Sequence, residues 1–134
     1  MQASVSSSSE ATTQGIRVHV ASSYSPDHSR PQDHHWFFSY TIEITNTGAE
    51  TVQLLSRHWV ITDANGKVDE VRGPGVIGVQ PVLPPGESFK YTSFCPLRTP
   101  FGTMQGSYQM VTKRGDTIDA AIAPFTLSTP YAIN

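Results

Sequence analysis

Hydrophobic and polar positions alternate along most of the chain. Ile16, Val18 and Val20 alternate with Arg17 and His19, and Trp36, Phe38, Tyr40, Ile42 and Ile44 alternate with Phe37, Ser39, Thr41, Glu43 and Thr45. Successive strand side chains point to opposite faces, so this period of two predicts strands with one face buried. Asn46-Thr47-Gly48 predicts a turn. Val52 and Leu54 resume the alternation, whereas Leu55, Trp59 and Ile61 fall on the other parity. A change of phase inside one strand predicts a β-bulge near Leu54–Leu55. In Asp63-Ala64-Asn65-Gly66 the Asn-Gly pair predicts a type I′ hairpin, with Val68–Val71 as the return strand.

Pro84-Pro85-Gly86 breaks the pattern. Beyond it Phe89, Tyr91 and Ser93 share one face, and Met104, Tyr108 and Met110 share another. Lys113-Arg114-Gly115-Asp116 predicts a turn before Ile118, Ala120 and Ile122, and Phe125 and Leu127 close the core. The sum is seven or eight short strands with turn signals every 8–12 residues or so, which predicts an all-β, antiparallel β-sandwich. No window carries a helical period. Ser22–Asp33 is polar with two prolines and predicts a long loop. Arg72–Pro85 is too broken for a regular strand, except around Val79–Leu83.

With 134 residues the chain has the size of one domain. Residues 1–14 hold one charge, Glu10, and almost nothing to bury, which predicts a disordered Ser-rich tail. The ordered domain is expected over residues 15–127, with residues 128–134 trailing loosely. The start lacks the basic and apolar runs of a secretory signal, and Cys95 has no second Cys to pair with, so a cytoplasmic location is expected.

Composition narrows the function classes. A net charge of −2 argues against a basic nucleic-acid binder, so no nucleic-acid partner is expected. The single Cys95 excludes an internal disulfide framework and a cysteine zinc site. No uncharged apolar run approaches the roughly 18 residues of a membrane helix, and no membrane partner is expected.

Arg72-Gly73-Pro74-Gly75-Val76-Ile77-Gly78 contains G-x-G-x-x-G. In a dinucleotide site such glycines open a helix whose N-terminus holds pyrophosphate. Gln80-Pro81 and Pro84-Pro85-Gly86 block a helix here. A Gly-rich turn can still form an anion-binding nest of amides beside Arg72, with Pro74 removing one donor. His28, His34 and His35 lie near Asp27 and Asp33, and His58 precedes Trp59. Imidazoles and carboxylates together suit divalent metals, but neither H-x-x-x-H nor H-E-x-x-H occurs, so no metal or cofactor is assigned. The acids are scattered, G-x-S-x-G is absent, and a lone Cys is usually a small buried hydrophobe, so no enzyme is expected. Arg114-Gly115-Asp116 spells an adhesion tripeptide, but its place between two strands predicts an ordinary turn. Core packing accounts for most aromatics; Phe37, on the opposite parity, covers a second face or marks an interaction patch.

Several words occur in a telling order: Arg57-His58-Trp59, Asp63-Ala64-Asn65-Gly66, the run Val71–Gly78, Gln80-Pro81, Pro85-Gly86-Glu87, Tyr91-Thr92-Ser93 and Gly102–Tyr108. This series resembles the bacterial ApaG family over nearly the whole chain after the tail. The resemblance implies an immunoglobulin-like or fibronectin type III-like sandwich. It also implies a link to cobalt and magnesium tolerance, and a gene that commonly neighbours a diadenosine tetraphosphate hydrolase. Similar domains in eukaryotic F-box adaptors and in a polymerase-interacting protein imply protein binding. The family's glycine motif carries over to Gly73, Gly75 and Gly78, and its association with pyrophosphate with it. The family often has a charged or polar residue before Gln-Pro, where this chain has Val79.

The expectation is a non-enzymatic binding or adaptor module with an unidentified protein partner. Its surface is the loop Arg72–Gly78, with Gly73, Gly75 and Gly78 as backbone donors, Arg72 as an anion contact, and Arg57, His58 and Trp59 beside it. The alternative is a small-ligand sensor that binds pyrophosphate, a nucleotide or a divalent cation through the same loop.

Overall fold

The computed structural model describes residues 5–130, with side chains from residue 7 onward. The alternating segments form strands β1 (Val5–Thr13), β2 (Ile16–Tyr24), β3 (Trp36–Asn46), β4 (Val52–Asp63), β5 (Val68–Pro74), β6 (Val82–Leu83), β7 (Ser88–Leu97), β8 (Phe101–Thr112) and β9 (Thr117–Ser128). Nine strands among the described residues thus replace the expected seven or eight; β1 is the addition, and the two-residue β6 falls within the stretch around Val79–Leu83. One sheet has the order β1-β2-β3-β7 and the other β5-β4-β8-β9, with β6 also paired to β4; all pairs are antiparallel. The same-face residues Val18, Val20, Phe38, Ile42 and Ile44 of one sheet meet Leu54, Tyr108, Ala120 and Leu127 of the other in a closed core. Among the described residues no helix is long and apolar enough to cross a membrane.

The predicted bulge is present: the β4–β8 register shifts between Leu54 and Ser56, and Leu55 turns outward. The Asp63–Gly66 turn exists, but as a different turn. Gly66 takes a positive φ and Asn65 does not. The Asp63 carboxylate accepts the amides of Asn65 (2.9 Å) and Lys67 (3.0 Å), and this Asx arrangement favours a right-handed turn over type I′.

The segment read as a Ser-rich tail is, over Val5–Thr13, the edge strand β1, paired with β2 from Val5↔Ser23 to Thr13↔Ile16; residues 1–4 lie outside the described ones. Composition misled because these hydroxyls do what apolar groups do elsewhere: they join β1 to the other sheet. The Ser7 Oγ accepts the Thr126 amide (3.0 Å), Ser9 Oγ donates to the Ala123 carbonyl (2.8 Å), and Thr13 Oγ1 accepts the Ala121 amide (3.1 Å). Ser22, placed in a loop by its polarity, is buried in β2 and donates to the Thr126 carbonyl (2.8 Å). The rest of that segment contains short 3₁₀ turns at 26–28 and 31–33. At the other end Ser128 and Thr129, expected to trail, are buried, and the Thr129 amide donates to the Pro100 carbonyl (3.2 Å); residues 131–134 lie outside the described ones. Arg72–Pro74, read as broken, completes β5.

The β1–β9 side of the sandwich is therefore closed. On the opposite side the free edges of β5 and β7 flank an open slot of about 410 Å³, whose lining includes Ile61, Val71, Cys95 and Pro96.

Candidate functional site

The β4–β5 hairpin sets Arg57 opposite Gly73, His58 opposite Arg72 and Trp59 opposite Val71. Past Pro74 the chain folds into a small hairpin of its own. The Val76 amide donates to the Val79 carbonyl and the Val79 amide to the Val76 carbonyl, both at 2.9 Å. Between them Ile77 and Gly78 have φ of +41° and +82°. Positive φ at both central residues defines a type I′ turn, whose usual residues are Asn-Gly. The type I′ turn expected at Asn65-Gly66 thus occurs at Ile77-Gly78. A β-branched residue in this region is a true conformational outlier.

Two further features fix the loop. Gly75 has φ of +60°, and a Cβ there would lie 2.2 Å from the Val79 carbonyl oxygen, so only glycine fits. Val76 is fully buried as a plug, while Ile77 at the tip is 61% exposed. The Gly75 amide donates to the Leu55 carbonyl (2.8 Å), and Gln80 Nε2 donates to the same oxygen (2.9 Å). The amides of Gly75, Val76 and Val79 therefore hold the loop together. This corrects the expectation that Gly75 offers its N–H to a ligand.

Arg57 braces the loop from the sandwich side. Its Nη1 donates to the carbonyls of Pro74 (3.0 Å) and Gly75 (2.9 Å). Its guanidinium lies over Gly73, where a Cβ would meet it at 3.0–3.1 Å. Trp59 is buried in the core with near edge-on contacts to Tyr40, Tyr108 and Phe125. Trp59, expected beside the loop, thus packs in the core. His58 points to the outer face, where Nε2 lies 2.7 Å from Glu70 Oε1. Arg72 Nη2 reaches the same oxygen at 3.5 Å. The hydrogen bond from His58, with the positive charge of Arg72 adding to it, holds the Glu70 carboxyl below the usual carboxylate range.

Arg57, His58, Arg72, Gly73 and Pro74 line an open groove of about 630 Å³, together with Leu55, Ser56, Ser107, Gln109 and Asp119. Ser56 Oγ donates to Gln109 Oε1 (2.8 Å), and Gln109 Nε2 donates to Ser107 Oγ (2.9 Å). The structure thus brings Arg57, His58, Arg72 and Gly73 together, buries Gly75 and Trp59, and places Gly78 at the hairpin tip. Sequence reasoning missed Glu70, Gln109 and the exposed Ile77. The first was within reach: once the Asp63–Gly66 turn is placed, Glu70 falls on the face shared by His58 and Arg72. Three more apolar residues flank the hairpin in exposed positions, namely Leu55, Val79 and Val82.

Of the other histidines, His19 lies in β2 of the opposite sheet, and His28, His34 and His35 lie in the segment between β2 and β3. The rings of His28 and His35 flank Phe37 at 5.9 and 5.8 Å, and Phe94 packs on both Phe37 (5.8 Å) and His28 (6.0 Å). Phe37 therefore covers the outer face of its sheet. The ring of His34 meets Trp36 (6.1 Å). Neither of these groups includes His58, and among the described residues no three His, Cys, Asp or Glu side chains are placed to hold a metal ion together. Burial pushes the Cys95 thiol up to about 12, which keeps it protonated and unreactive at neutral pH.

Fold and loop together define a small antiparallel sandwich domain whose Gly-rich hairpin is clamped from below by an arginine. The ApaG domain matches over residues 26–112, and the chain belongs to the ApaG family. It is 52% identical over 120 residues to the protein ApaG of Beijerinckia indica, covering 90% of this chain and 92% of that one. It is 51% identical over 126 residues to the protein ApaG of Anaeromyxobacter dehalogenans, covering 94% and 99%. The fold also matches the crystal structure of an ApaA protein from Bordetella pertussis, with a TM-score of 0.84 and 49% identity over 87% of this chain and 94% of that one.

Proposed function

We propose that this protein is a non-enzymatic protein-binding module of the ApaG type, with the Gly-rich hairpin as its recognition element. The observation that carries the reading is Ile77, a β-branched residue held at φ +41° on an exposed tip. Strain of this kind costs on the order of 1–3 kcal/mol and persists where the surrounding structure over-determines it. Here Gly75, Val76 and Arg57 do so. Asn or Gly at position 77 would make the same turn without strain, so the apolar tip serves something other than the turn. Rigid strands that present a short exposed loop are a common recognition device.

The small-ligand alternative has less support. Glu70 already engages His58 and Arg72, and Arg57 Nη1 already donates to two carbonyls, so the groove offers an anion little uncompensated charge. The orders β2-β3-β7 and β4-β8-β9 match the A-B-E and C-F-G orders of an immunoglobulin-type sandwich, which supports the immunoglobulin-like or fibronectin type III-like reading. A role in cobalt and magnesium tolerance belongs to this proposal through the family resemblance, and a cytoplasmic location through the single unpaired Cys95.

The test is Ile77→Asn, compared with the wild type as bait in quantitative affinity enrichment from a lysate of the source organism. Asn tolerates positive φ, so the variant is expected to gain about 1 kcal/mol in stability while losing the enriched partner. Equal recovery by both baits would sink the hairpin as the recognition element. Amide shifts confined to residues 72–78 on titration with pyrophosphate, diadenosine tetraphosphate, Mg²⁺ or Co²⁺ would favour the sensor reading instead.

A further inference from the structure

We infer that a second copy of this chain docks on the free edge of β5, strand to strand and antiparallel, about a two-fold axis at Val71. The two sides of the sandwich differ. The β1–β9 side is closed by the hydroxyls of Ser7, Ser9 and Thr13. The β5 edge has no partner among the described residues, and all seven of its residues are exposed except the half-buried Gly73. An uncovered edge is a template for another strand, and proteins usually guard it with Lys, Pro or a bulge. Here Pro74 is the last residue and no Lys stands within the strand, so what guards the edge is the charge of Asp69, Glu70 and Arg72, which repels most pairings but not all.

The charges along β5 select one pairing. By strand parity Val68, Glu70 and Arg72 share the face of His58, while Asp69, Val71 and Gly73 share the face of Trp59, with Asp69 and Val71 at the slot. In an antiparallel pair centred on Val71, Glu70 of each copy stands opposite Arg72 of the other. Asp69 stands opposite Gly73, over which the Arg57 guanidinium lies. Val71 meets its own equivalent, and Val68 meets Pro74. Every acid thus faces a base, on both surfaces of the joined sheet. A shift by two residues places Glu70 against Glu70 or Arg72 against Arg72, and a parallel pairing does the same; like charges directly opposite are destabilising. The Arg72 side chain is 71% exposed and the Glu70 side chain 54% exposed, so a second copy can reach both, and its Arg72 would share a Glu70 carboxylate that already holds His58 and Arg72 of its own chain. A contact this small belongs to the weak class of interfaces, and its exposed ion pairs are sensitive to salt.

Sedimentation equilibrium of the full chain, from about 10 µM to about 1 mM at low and high salt, reads the association directly. The wild type is expected to dimerise with rising concentration, less so in high salt. Glu70→Arg and Arg72→Glu each turn two symmetric attractions into repulsions and should each raise the dissociation constant by about tenfold or more. An equimolar mixture of the two variants should recover wild-type association, because every Arg then faces a Glu of the other chain. That recovery also shows that both variants are folded. A wild type that stays monomeric to about 1 mM overturns the inference. So does a dimer indifferent to both changes, or a mixture that associates no better than either variant alone.

Discussion

The hydroxyls of β1 allow a worked test of why a Ser-rich segment folds. Ser7→Ala, Ser9→Ala and Thr13→Val together remove the three side-chain bonds to β9 and leave the β1–β2 ladder intact. A net hydrogen bond contributes about 1 kcal/mol, so full loss costs about 3 kcal/mol. All three residues are only half-buried, and water replaces part of what is lost; the expected cost falls to about 2 kcal/mol. An unfolding entropy of about 2.1 cal/mol/K per residue over 134 residues gives about 0.28 kcal/mol/K, so the melting temperature should drop by about 7 °C. Thermal unfolding supplies that number. Hydrogen exchange supplies the location, since the Ala121 and Thr126 amides lose their acceptors and should exchange faster, while the ladder amides of β2 should not. A drop of less than about 2 °C, with Ala121 and Thr126 protected as before, would show that water serves β9 equally well. The hydroxyl account of β1 would then be wrong.

Two further outcomes follow from the loop and the core. Gly75→Ala places a Cβ 2.2 Å from a backbone oxygen and should cost about 3 kcal/mol, whereas Gly78→Ala meets open space and should cost only the strain of its φ, about 1–2 kcal/mol; equal shifts of the urea midpoint would contradict this ordering. Burial raises Cys95 from 9.0 to about 12 and also raises Tyr40, Tyr91 and Tyr108 above 10.0. The unfolded chain then loses these protons first, so stability is full below about pH 9 and falls toward pH 12, by up to about 1.4 kcal/mol per pH unit for each group. Urea midpoints from pH 8 to 11 measure it, and a flat profile would refute it.

Period two made the two sheets readable because a half-buried strand must alternate, and the bulge at Leu55 was readable because it breaks that alternation. The Gly-rich loop was readable only as a loop. Its hairpin depends on Val76 entering the core and on Arg57 reaching two carbonyls, and both are long-range contacts that no local pattern encodes. The β1 strand was invisible for a related reason. Its stabilisation comes from hydroxyls matched to the free groups of β9, more than a hundred positions away, and composition scores those hydroxyls as signs of disorder. The pairing of His58 with Glu70 lay between these cases, since it follows from the hairpin register once the turn is placed.

The two departures from local rules, Ile77 and the bare β5 edge, lie next to each other in the chain, and neither helps the fold. A turn favours Asn or Gly at position 77, and an edge strand left unpaired is open to another strand. The departures differ in kind, however. Ile77 is apolar and strained, which suits a partner of different surface whose binding desolvates a single side chain. The β5 edge is polar and self-complementary about Val71, which suits another copy of itself. Ile77 stands past Pro74, outside the strand residues that the pairing uses. A β5-paired dimer would then present two hairpins at once, and a partner with two sites would bind it far more tightly than it binds one chain, with no new contact formed. The equimolar mixture of the charge-swap variants separates these contributions: each variant alone should weaken capture of a bivalent partner, and the mixture, which restores the dimer, should recover it.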